Sequence, residues 1–480
     1  MQWETLLSTK KLKPEAEEVS NFKEYPINEF EKDYNIIVSS AAFRRLQDKT
    51  QVFPLDKSDF VRTRLTHSIE VSTIARQLGI MISQNSTMYK PKDMTPEIGD
   101  EISSVLLCAG LLHDLGNPPF GHFGETVIGD WFKNNLGEIK YKDKPINEWL
   151  TEQMCLDLEH FEGNAQALRI LLKAQKNSEI NISEAIISTL VKYPTDSGSV
   201  DKESADIKKH KLGFFKAEQE LFDYISQSVG TKTDTGEIVR HPLAYFLEAA
   251  DDIAYATADL EDAFKKNLFT LDEFIDYYKN SYNRDRVESK SNHEHYTEKL
   301  LEDLKRLRAD NRTMESESRA FKKWLNLTRR WLMYVAVFRF SSNYAKIMDG
   351  TYSGDLFEGT NHEITIEILK GAMRKFAFNT SRILKLELSG QVTLEFLLDK
   401  FVHAALYSDY QDEEKGFLPS KADKKYLAIF SDNYKQDYEN AKTGDEKFDL
   451  YLRLLMVTDY ISGMTDSYAR TLYRELNGIE

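Results

Sequence analysis

The chain has 480 residues, 41% of them hydrophobic and 12% aromatic, so it can bury a sizeable core and is unlike a disordered protein. Its formal net charge of −15 disfavours general electrostatic binding to nucleic acid or to an anionic membrane, although a local basic groove is compatible with it. Two cysteines, Cys108 and Cys155, are too few for a disulfide framework or a cysteine-based zinc site. We see no secretory signal in the first 30 residues and no apolar run long enough to span a bilayer, so we expect a cytoplasmic protein.

Apolar residues recur at spacings of three and four along most of the chain, which predicts amphipathic helices. Segment 70–83 has this pattern, whereas 101–116 is apolar nearly all round and is expected to form a central buried helix. Further helices are predicted at 164–175, 241–264, 318–340 and 392–407, and loops at 84–100, 194–208, 228–239 and 349–362. The fold class predicted is all-α, with few or no short strands.

The charged segment 279–320 still carries an apolar face, so we interpret it as a solvated helical excursion and not as a linker. Its apolar positions are Leu300, Leu301, Leu304 and Leu307. We find no internal repeat and no low-complexity tract. We therefore expect a metal-bearing helical core over residues 1–270 and a helical C-terminal region over 271–480 packed on it, without a clean boundary.

The stretch AGLLHDLGNPPFGHFGE at 109–125 holds a dense cluster of groups that can bind a divalent metal and transfer protons. His113 and Asp114, two metal-ligand types, stand side by side at the end of the predicted buried helix. A metal site of this kind draws its nitrogen and oxygen ligands from different parts of the chain, and His67 and Asp251 are the candidates elsewhere. Taken singly, His67 would usually be a surface or capping histidine and His113-Asp114 an ordinary polar helix end. Together, these residues favour a divalent metal site.

A stripe of polar residues recurs at three- and four-residue steps along the predicted helix 241–264, whose other positions are apolar. The stripe consists of Glu248, Asp251, Tyr255, Asp259 and Asp262. Such a stripe is either an ordinary solvent face or the wall of a site. Asp252 competes with Asp251 for the ligand role, and the spacing by fours to Tyr255 and Asp259 favours Asp251.

His122 and Glu125 follow the Gly-Asn-Pro-Pro break and are three residues apart, so they face the same way if the chain resumes a helix there. A histidine beside a metal-bound phosphate can protonate a leaving oxygen or position the attacking water, with Glu125 orienting it. The alternative is that this Gly-His-Phe-Gly segment is only a loop.

Several cationic and polar residues suit a polyanionic phosphate, although each one taken singly is more often a solvated surface group. They are Arg44, Arg45, Gln51, Lys192, Tyr193 and Lys211. The chain has no GxxxxGK[ST] or GxGxxG motif, so a kinase or Rossmann protein would lack its phosphate-binding loop. It also has no GxSxG nucleophile elbow.

These motifs resemble those of the bacterial dGTP triphosphohydrolases of the HD superfamily, and more distantly those of the eukaryotic SAM- and HD-domain dNTPases. The resemblance is carried by AAFRRLQDKTQV (41–52), RTRLTHSIEV (62–71), LLHDLGNPPFGHFGE (111–125), FEGNAQALRIL (161–171), KYP (192–194), EAADDIAYATADLEDA (248–263) and DYISGMTDSYA (459–469). The combination of HDLGNPPFGHFGE with EGNAQ is the most specific part. Ser467 departs from the pattern, since a basic residue is expected there.

The resemblance implies an HD-domain core and one divalent ion, manganese or magnesium, on four ligands: His67, His113, Asp114 and Asp251. A further magnesium ion could accompany the triphosphate. His122 with Glu125 would assist the chemistry, Gln51 and Arg64 would touch the sugar and α-phosphate, and Lys192, Tyr193 and Lys211 would hold the phosphate chain. Tyr255 would stack under the deoxyribose and disfavour a 2′-hydroxyl, and Asp259 would contact the phosphate end through water or metal.

The reaction implied is hydrolysis of dGTP to deoxyguanosine and triphosphate, by attack of a metal-activated water at the α-phosphorus. Family members are homo-oligomers, as hexamers or assemblies of dimers. Two alternatives stay open. One is an HD nucleotidase or phosphodiesterase of other specificity, although two-metal phosphodiesterases usually need additional histidine ligands. The other is a regulatory protein that binds a dNTP or single-stranded DNA, which the complete ligand set disfavours. Base preference, an allosteric nucleotide site, the physiological metal and the exact oligomer are left open by the sequence.

Overall fold

The computed structural model describes all residues except 14–27, 56–57, 85–93, 177–179, 290–293, 309–312, 361, 409–418 and 480. The helices of the first half are α1 (Trp3–Leu6), α2 (Glu29–Ser39), α3 (Ala41–Arg44), α4 (Arg64–Gln84), α5 (Pro96–Leu112), α6 (Gly121–Asn135), α7 (Glu152–Glu159), α8 (Gly163–Lys176), α9 (Glu184–Leu190), α10 (Gln219–Ser228), α11 (Pro242–Ala254) and α12 (Leu260–Lys265). Short 3₁₀ turns occur at Arg45–Asp48, Ile146–Glu148, Ser197–Ser199, Ile207–Lys209 and Lys216–Glu218. One two-stranded antiparallel hairpin pairs β1 (Lys140–Tyr141) with β2 (Lys144–Pro145).

The second half is also helical. It contains α13 (Leu271–Ser289), α14 (Glu294–Leu307), α15 (Met314–Ser342), α16 (Tyr344–Met348), α17 (Glu363–Met373), α18 (Ser381–Leu406), α19 (Lys421–Ile429), α20 (Asp432–Ala441), α21 (Glu446–Ser462) and α22 (Asp466–Leu476). Two π-helical turns, Tyr255–Asp259 and Arg374–Phe378, continue α11 and α17. The all-α prediction is confirmed, and both π-turns are features that the sequence pattern did not predict.

The central buried helix begins earlier than the apolar pattern predicted. Thr95 caps α5 by accepting a hydrogen bond from the amide of Ile98, and Pro96 occupies the first turn. A threonine cap followed by proline is a helix-start signal, because proline has no amide to leave unpaired there. The C-terminal part of the predicted loop 84–100 is therefore the first turn of α5, and residues 85–93 of that loop lie outside the described residues.

The two helices α4 and α5 pack so closely that glycine is needed at their contact. A Cβ built on Gly110 would lie 2.4 Å from the Cα of Ser72, and one on Gly79 would lie 2.9 Å from the Cα of Ser103. The hydroxyl of Ser72 donates to the carbonyl oxygen of Leu107 at 2.8 Å, which adds a polar link between the helices. This close contact brings the start of α4 to the end of α5, where the candidate metal ligands lie.

Among the described residues, the buried apolar side chains form three clusters, and each cluster contains residues from both sides of position 270. The first joins α4, α5, α9 and α11 to Leu332 and Phe340, and the second joins α6 to α18 and α21. The third packs Val52 and Leu260 against Trp324 and Leu369. Apolar residues from before and after position 270 thus pack in the same clusters. The division of the chain at 270 stays a prediction. Among the described residues, every helix is too short or too polar to cross a membrane.

Candidate active site

A cavity of about 560 Å³ contains most of the residues that the sequence singled out. Of the predicted site residues, its wall includes Gln51, Arg64, His67, His113, Asp114, His122, Lys192, Tyr193, Lys211, Asp251 and Tyr255. Glu125 and Asp259 are buried behind this wall and reach it through His122 and Gln51. The structure therefore brings together residues from segments up to about 200 positions apart. Their catalytic, metal-binding and substrate-binding roles stay predictions.

Three of the four predicted metal ligands form one compact group at the base of the cavity. His67 lies in the first turn of α4, His113 caps α5, and Asp251 lies on α11. Their potential ligand atoms lie within 4.8 Å of one another, and the imidazole centroids are 5.4 Å apart. The fourth, Asp114, has its Oδ2 at 3.4 Å from Nε2 of His113.

The orientation of His113 suits a metal-binding nitrogen. Its Nδ1 donates to the carbonyl oxygen of Gly110 at 2.8 Å, so Nε2 is the ring nitrogen turned towards the other predicted ligands. This Nε2 is buried, faces Asp251 at 3.5 Å, and has no hydrogen-bond partner within the described part of the chain. Imidazole nitrogens beside carboxylates are the donor set that divalent first-row metals accept. The residues present thus fit a divalent ion.

Asp251, and not its neighbour Asp252, faces the two histidines. Asp251 Oδ1 lies 3.3 Å from Nε2 of His67, and Oδ2 lies 2.8 Å from the ammonium of Lys192. Burial opposes ionisation of Asp251, but Lys192 and His113 outweigh it and hold the pKa of this carboxyl well below its usual range. Asp252 instead pairs with Lys370 at 3.0 Å. This geometry agrees with the choice that the four-residue spacing favoured.

Arg64 forms an ion pair with the predicted ligand Asp114. Its guanidinium lies 2.8 Å from Oδ2 of Asp114 and is almost fully buried, and its contact with sugar and α-phosphate stays a prediction. It also passes so close to Gly121 that a Cβ there would lie 2.6 Å from its NH2 nitrogen. Asn117 donates to the other oxygen of Asp114. Burial opposes ionisation of Asp114, yet Arg64 and His113 keep its pKa below the usual range.

The predicted pair His122 and Glu125 lies in the first turns of α6. Glu125 Oε2 accepts from Nδ1 of His122 at 2.8 Å, and Oε1 accepts from the amide of Gly163 at 3.1 Å. Any Cβ at position 163 would lie 2.4 Å from Glu125 Oε1 and 2.2 Å from Oδ1 of Asn117. The glycine of the EGNAQ motif therefore leaves room for both side chains, and Glu125 is held from two sides.

His122 combines a buried partner with an exposed ring. Its side chain is 76% exposed, whereas that of Glu125 is 9% exposed. The charge and hydrogen bond of Glu125 raise the pKa of His122 above its ordinary value of 6.5. Since Nδ1 is engaged by Glu125, Nε2 is the ring nitrogen left to meet a ligand. The pair can therefore keep a proton to a higher pH than a free histidine would and present it to the cavity.

The cationic wall of the cavity is formed by residues that already have carboxylate neighbours. Lys192 pairs with Asp251, and Lys211 lies 3.0 Å from Oε1 of Glu162. The hydroxyl of Tyr193 donates to Glu248 at 3.3 Å. Each of these groups thus has a carboxylate partner within the protein. An anion bound in the cavity would also meet the ammonium groups of Lys192 and Lys211, which line it.

A π-turn presents Tyr255 to the cavity and buries Asp259 behind it. The carbonyl of Ala258 accepts from a guanidinium nitrogen of Arg62 at 3.1 Å, and Arg329 donates to the hydroxyl of Thr257 at 3.0 Å. Such single π-turns are frequent at functional sites because they redirect side chains locally. Burial raises the pKa of Asp259 to about 7, and its Oδ2 accepts from Nε2 of Gln51 at 3.4 Å.

Sequence reasoning missed the part of the wall that comes from the second half of the chain. Lys370 of α17, Arg374 and Phe378 of the second π-turn, and Glu387 of α18 also line the cavity. The ring of Phe378 lies nearly parallel to Tyr255, with centroids 6.4 Å apart. In the sequence, these residues belong to ordinary amphipathic helices, so no local motif marked them.

The comparisons with known proteins agree with the motifs. The HD domain family model matches residues 64–186. A deoxyguanosinetriphosphate triphosphohydrolase-like protein of Listeria innocua is 40% identical over 486 residues, which cover 100% of both chains. The deoxyguanosinetriphosphate triphosphohydrolase of Yersinia enterocolitica is 32% identical over 497 residues, which cover 95% of each chain. The chain belongs to the deoxyguanosinetriphosphate triphosphohydrolase-like family.

Membership of this family confirms the resemblance that the motifs indicated. A further deoxyguanosinetriphosphate triphosphohydrolase-like protein, from Pseudomonas aeruginosa, is 31% identical over 492 residues, covering 100% of this chain and 99% of its own. The matched HD domain holds His67, His113, Asp114, His122 and Glu125, and it ends before α11. In this family member, the HD domain model therefore does not include Asp251. It also does not include the cavity residues Lys370, Arg374, Phe378 and Glu387.

Proposed function

We propose that the chain hydrolyses dGTP to deoxyguanosine and inorganic triphosphate. The observation that carries the proposal is the cluster of His67, His113 and Asp251 at the base of a cavity that also holds the His122–Glu125 pair. Family relatives named deoxyguanosinetriphosphate triphosphohydrolase align with nearly the whole chain, which supports the same substrate here. The site supplies ligands for a metal, cations for phosphate and a proton donor, and each of these groups has a task in this reaction.

His67, His113, Asp114 and Asp251 would hold one divalent ion, for which Mn²⁺ or Mg²⁺ is proposed. A bound divalent ion polarises a phosphoryl oxygen and lowers the pKa of a bound water, which are the two needs of hydrolysis at phosphorus. Arg64 lies against Asp114 and so helps to orient this carboxylate. Asn117 fixes its other oxygen. Asp114 is thus restrained on both oxygens before any ligand binds.

Lys192 and Lys211 bind the phosphate chain in this proposal. Both ammonium groups line the cavity, and both are held by carboxylates that a triphosphate would replace or share. Positive charge fixed next to the transferring phosphoryl group stabilises the charge that develops on its oxygens. Tyr193 extends the same wall through its hydroxyl. Gln51 lies beside the buried Asp259 and is proposed to contact the sugar.

His122 is the proposed general acid. The bond from the α-phosphorus to the 5′-oxygen breaks as the oxygen of water bonds to phosphorus, and Nε2 of His122 delivers its proton to the departing 5′-oxygen. An alkoxide is a poor leaving group, so this proton lowers the barrier. Glu125 raises the pKa of the imidazole and orients the ring through Nδ1. Triphosphate carries the hydroxyl that came from water, and the other proton of that water passes to solvent, from which His122 regains the proton that it gave to the 5′-oxygen.

Tyr255 is proposed to stack beneath the deoxyribose and to exclude a 2′-hydroxyl. We further propose a homo-oligomer in the cytoplasm, with a regulatory dNTP or single-stranded DNA as candidate partners. The proposal is tested with dGTP, dATP, dCTP and dTTP, each alone and in mixture with Mn²⁺ or Mg²⁺, and with the products separated by ion exchange. Triphosphate with deoxyguanosine supports it, whereas orthophosphate or pyrophosphate would indicate the alternative of another HD phosphohydrolase. Tight dNTP binding without any product would indicate a regulatory protein.

A further inference from the structure

The chain enters the helix that carries His122 through a left-handed turn. Phe120 has φ 65° and Gly121 has φ 62°, and α6 begins at Gly121. A positive φ is usual for glycine but uncommon for a bulky side chain such as phenylalanine. Such a conformation persists only where the surrounding structure holds it. Since His122 comes two residues after Phe120, whatever holds this turn also sets the position of His122.

A carboxylate from the last helix holds the turn. The amide of Phe120 donates to Oδ1 of Asp466 at 3.0 Å, across 346 positions of sequence. The other oxygen, Oδ2, accepts from the amide of Thr50 at 3.0 Å and from the hydroxyl of Thr50. Asp466 is 2% exposed, so these bonds are shielded from water. One buried carboxylate therefore joins two segments that are distant in sequence.

Both segments lead directly into residues of the site. Thr50 precedes Gln51, and Phe120 precedes the Gly121–His122 pair. Lys49 adds a second link, since its ammonium donates to the carbonyl oxygens of Asn117 and Ser462 at 2.6 Å each. The loop between His113 and His122 is thus joined directly to the start of α22 by Asp466 and, through Lys49, to the end of α21.

The ring of Phe120 is fixed independently of its backbone. A Cβ on Gly390 in α18 would lie 2.8 Å from the ring, so the ring occupies the space that the missing side chain leaves. The ring is buried in the cluster that joins α6 to α18 and α21. The C-terminal region thus holds this strained residue at both its amide and its side chain.

We propose that Asp466 is a positioning residue for His122. It fixes the left-handed turn at Phe120, and through that turn it sets the position of the imidazole that delivers the proton. The inference rests on the proposed dGTP hydrolysis for its kinetic consequence, but the contact itself can be tested without activity. Ser467, where the family pattern leads one to expect a basic residue, donates instead to Asp48 at 2.9 Å on the exposed side of the same helix.

The first test compares Asp466→Asn with Ser467→Ala. Asparagine keeps the shape of the side chain but offers one acceptor oxygen to two sets of donors, so one contact is lost. We expect kcat for dGTP to fall about 10–100-fold, since displacing a reacting group by about 1 Å has an effect of this order. KM should change less than about threefold and bound Mn²⁺ should be retained. Ser467→Ala removes the neighbouring hydrogen bond to Asp48 and should match the parent protein.

A double-mutant cycle separates positioning from general destabilisation. If Asp466 acts through His122, Asp466→Asn should lower kcat in the parent protein but cause no further loss in the His122→Ala background. Gly390→Ala, which presses on the Phe120 ring and leaves Asp466 intact, should reproduce the loss in kcat. A full and additive loss in the His122→Ala background would overturn the proposal, because Asp466 would then act on the fold as a whole.

Hydrogen exchange followed by mass spectrometry supplies a measurement that does not depend on activity. Asp466→Asn should speed exchange in peptides that cover residues 118–126 and leave those that cover α11 unchanged. Parent-like exchange there together with parent-like kcat would overturn the proposal. If the parent protein itself produced no triphosphate from dGTP, the proposed function would fall, and the exchange result would decide on its own whether Asp466 holds the turn.

Discussion

His113 donates its Nδ1–H to the carbonyl oxygen of Gly110, one turn earlier in α5, at 2.8 Å. Gly110 is also the residue against which Ser72 of α4 packs, because a Cβ there would lie 2.4 Å from the Cα of Ser72. The contact that joins the two helices therefore coincides with the contact that orients the imidazole. It also explains why His67, in the first turn of α4, comes within 5.4 Å of the His113 ring.

The first prediction concerns metal binding. His113→Ala and Asp114→Ala should each lower the bound metal and abolish dGTP hydrolysis, while the far-UV circular dichroism stays helical. Metal content is measured by elemental analysis after equilibration with Mn²⁺. Because an ion bound only to the folded state stabilises it, Mn²⁺ should raise the Tm of the parent protein but not of the variants. His160→Ala, an exposed histidine at the end of α7, is the matched control. Full activity of metal-free Asp114→Ala would refute the assignment.

The second prediction concerns the rate of the chemical step. His122 is absent from the compact metal-ligand group, so His122→Ala should keep the metal and bind dGTP. It should lose about 10²–10⁴-fold in kcat, the usual contribution of a general acid. Equilibrium binding measures the affinity for dGTP, and single-turnover kinetics measures the rate of the chemical step, so the two are measured separately. Loss of the metal from His122→Ala would instead make His122 a ligand, and near-normal kcat would mean that no side-chain acid is needed.

The third prediction concerns pH. Glu125 raises the pKa of His122 above 6.5, so the imidazole stays protonated to a higher pH than a free histidine would. An acid must be protonated to act, and kcat/KM should therefore decline as pH rises through this raised pKa. Glu125→Gln removes the charge that raises it, which should move the alkaline limb to lower pH and reduce the maximum rate. An alkaline limb that stays in place in Glu125→Gln would show that another group sets it.

The fourth prediction concerns the sugar. If the Tyr255 ring packs beneath the deoxyribose, a 2′-hydroxyl must be forced into an occupied site, at a cost of about 1–3 kcal/mol. The parent protein should accordingly favour dGTP over GTP in kcat/KM by roughly 5–150-fold, the equivalent of that energy. Tyr255→Ala should reduce this ratio, whereas Tyr255→Phe, which keeps the ring, should preserve it. Equal kcat/KM for the two nucleotides in the parent protein would contradict the role of Tyr255.

The fifth prediction tests the close contact at Gly163. A methyl group there would overlap Glu125 and Asn117, at 2.4 and 2.2 Å from the nearest oxygen of each. Gly163→Ala should therefore displace the partner of His122 and lower kcat by about 10²-fold, as misplacing a catalytic group typically does. Gly137→Ala is the matched control, because its Cβ would meet only Asn147 at 3.4 Å. Equal kcat in both variants would show that the Glu125 contact is dispensable.

Much of the candidate site could be predicted from local sequence. His113 and Asp114 follow a continuous apolar run, so their place at the end of a buried helix could be predicted from periodicity alone. The three-residue spacing of His122 and Glu125 predicted that they share a face once α6 begins, and their 2.8 Å contact agrees with this. The ion pair of Arg64 with Asp114 was not predicted, because it depends on how α4 meets α5, which no spacing within either helix reveals.

The helices, the candidate ligands and the family resemblance could be predicted from the sequence, because hydrophobic periodicity and short motifs are local properties of the chain. Which distant residues line the same cavity depends on the tertiary structure. Lys370 and Glu387 line the same cavity as the histidines, and Asp466 accepts a hydrogen bond from Phe120, because shared apolar clusters pack the C-terminal helices against the HD core. Contacts of this kind are set by packing across hundreds of residues, and no residue spacing within a single helix records them.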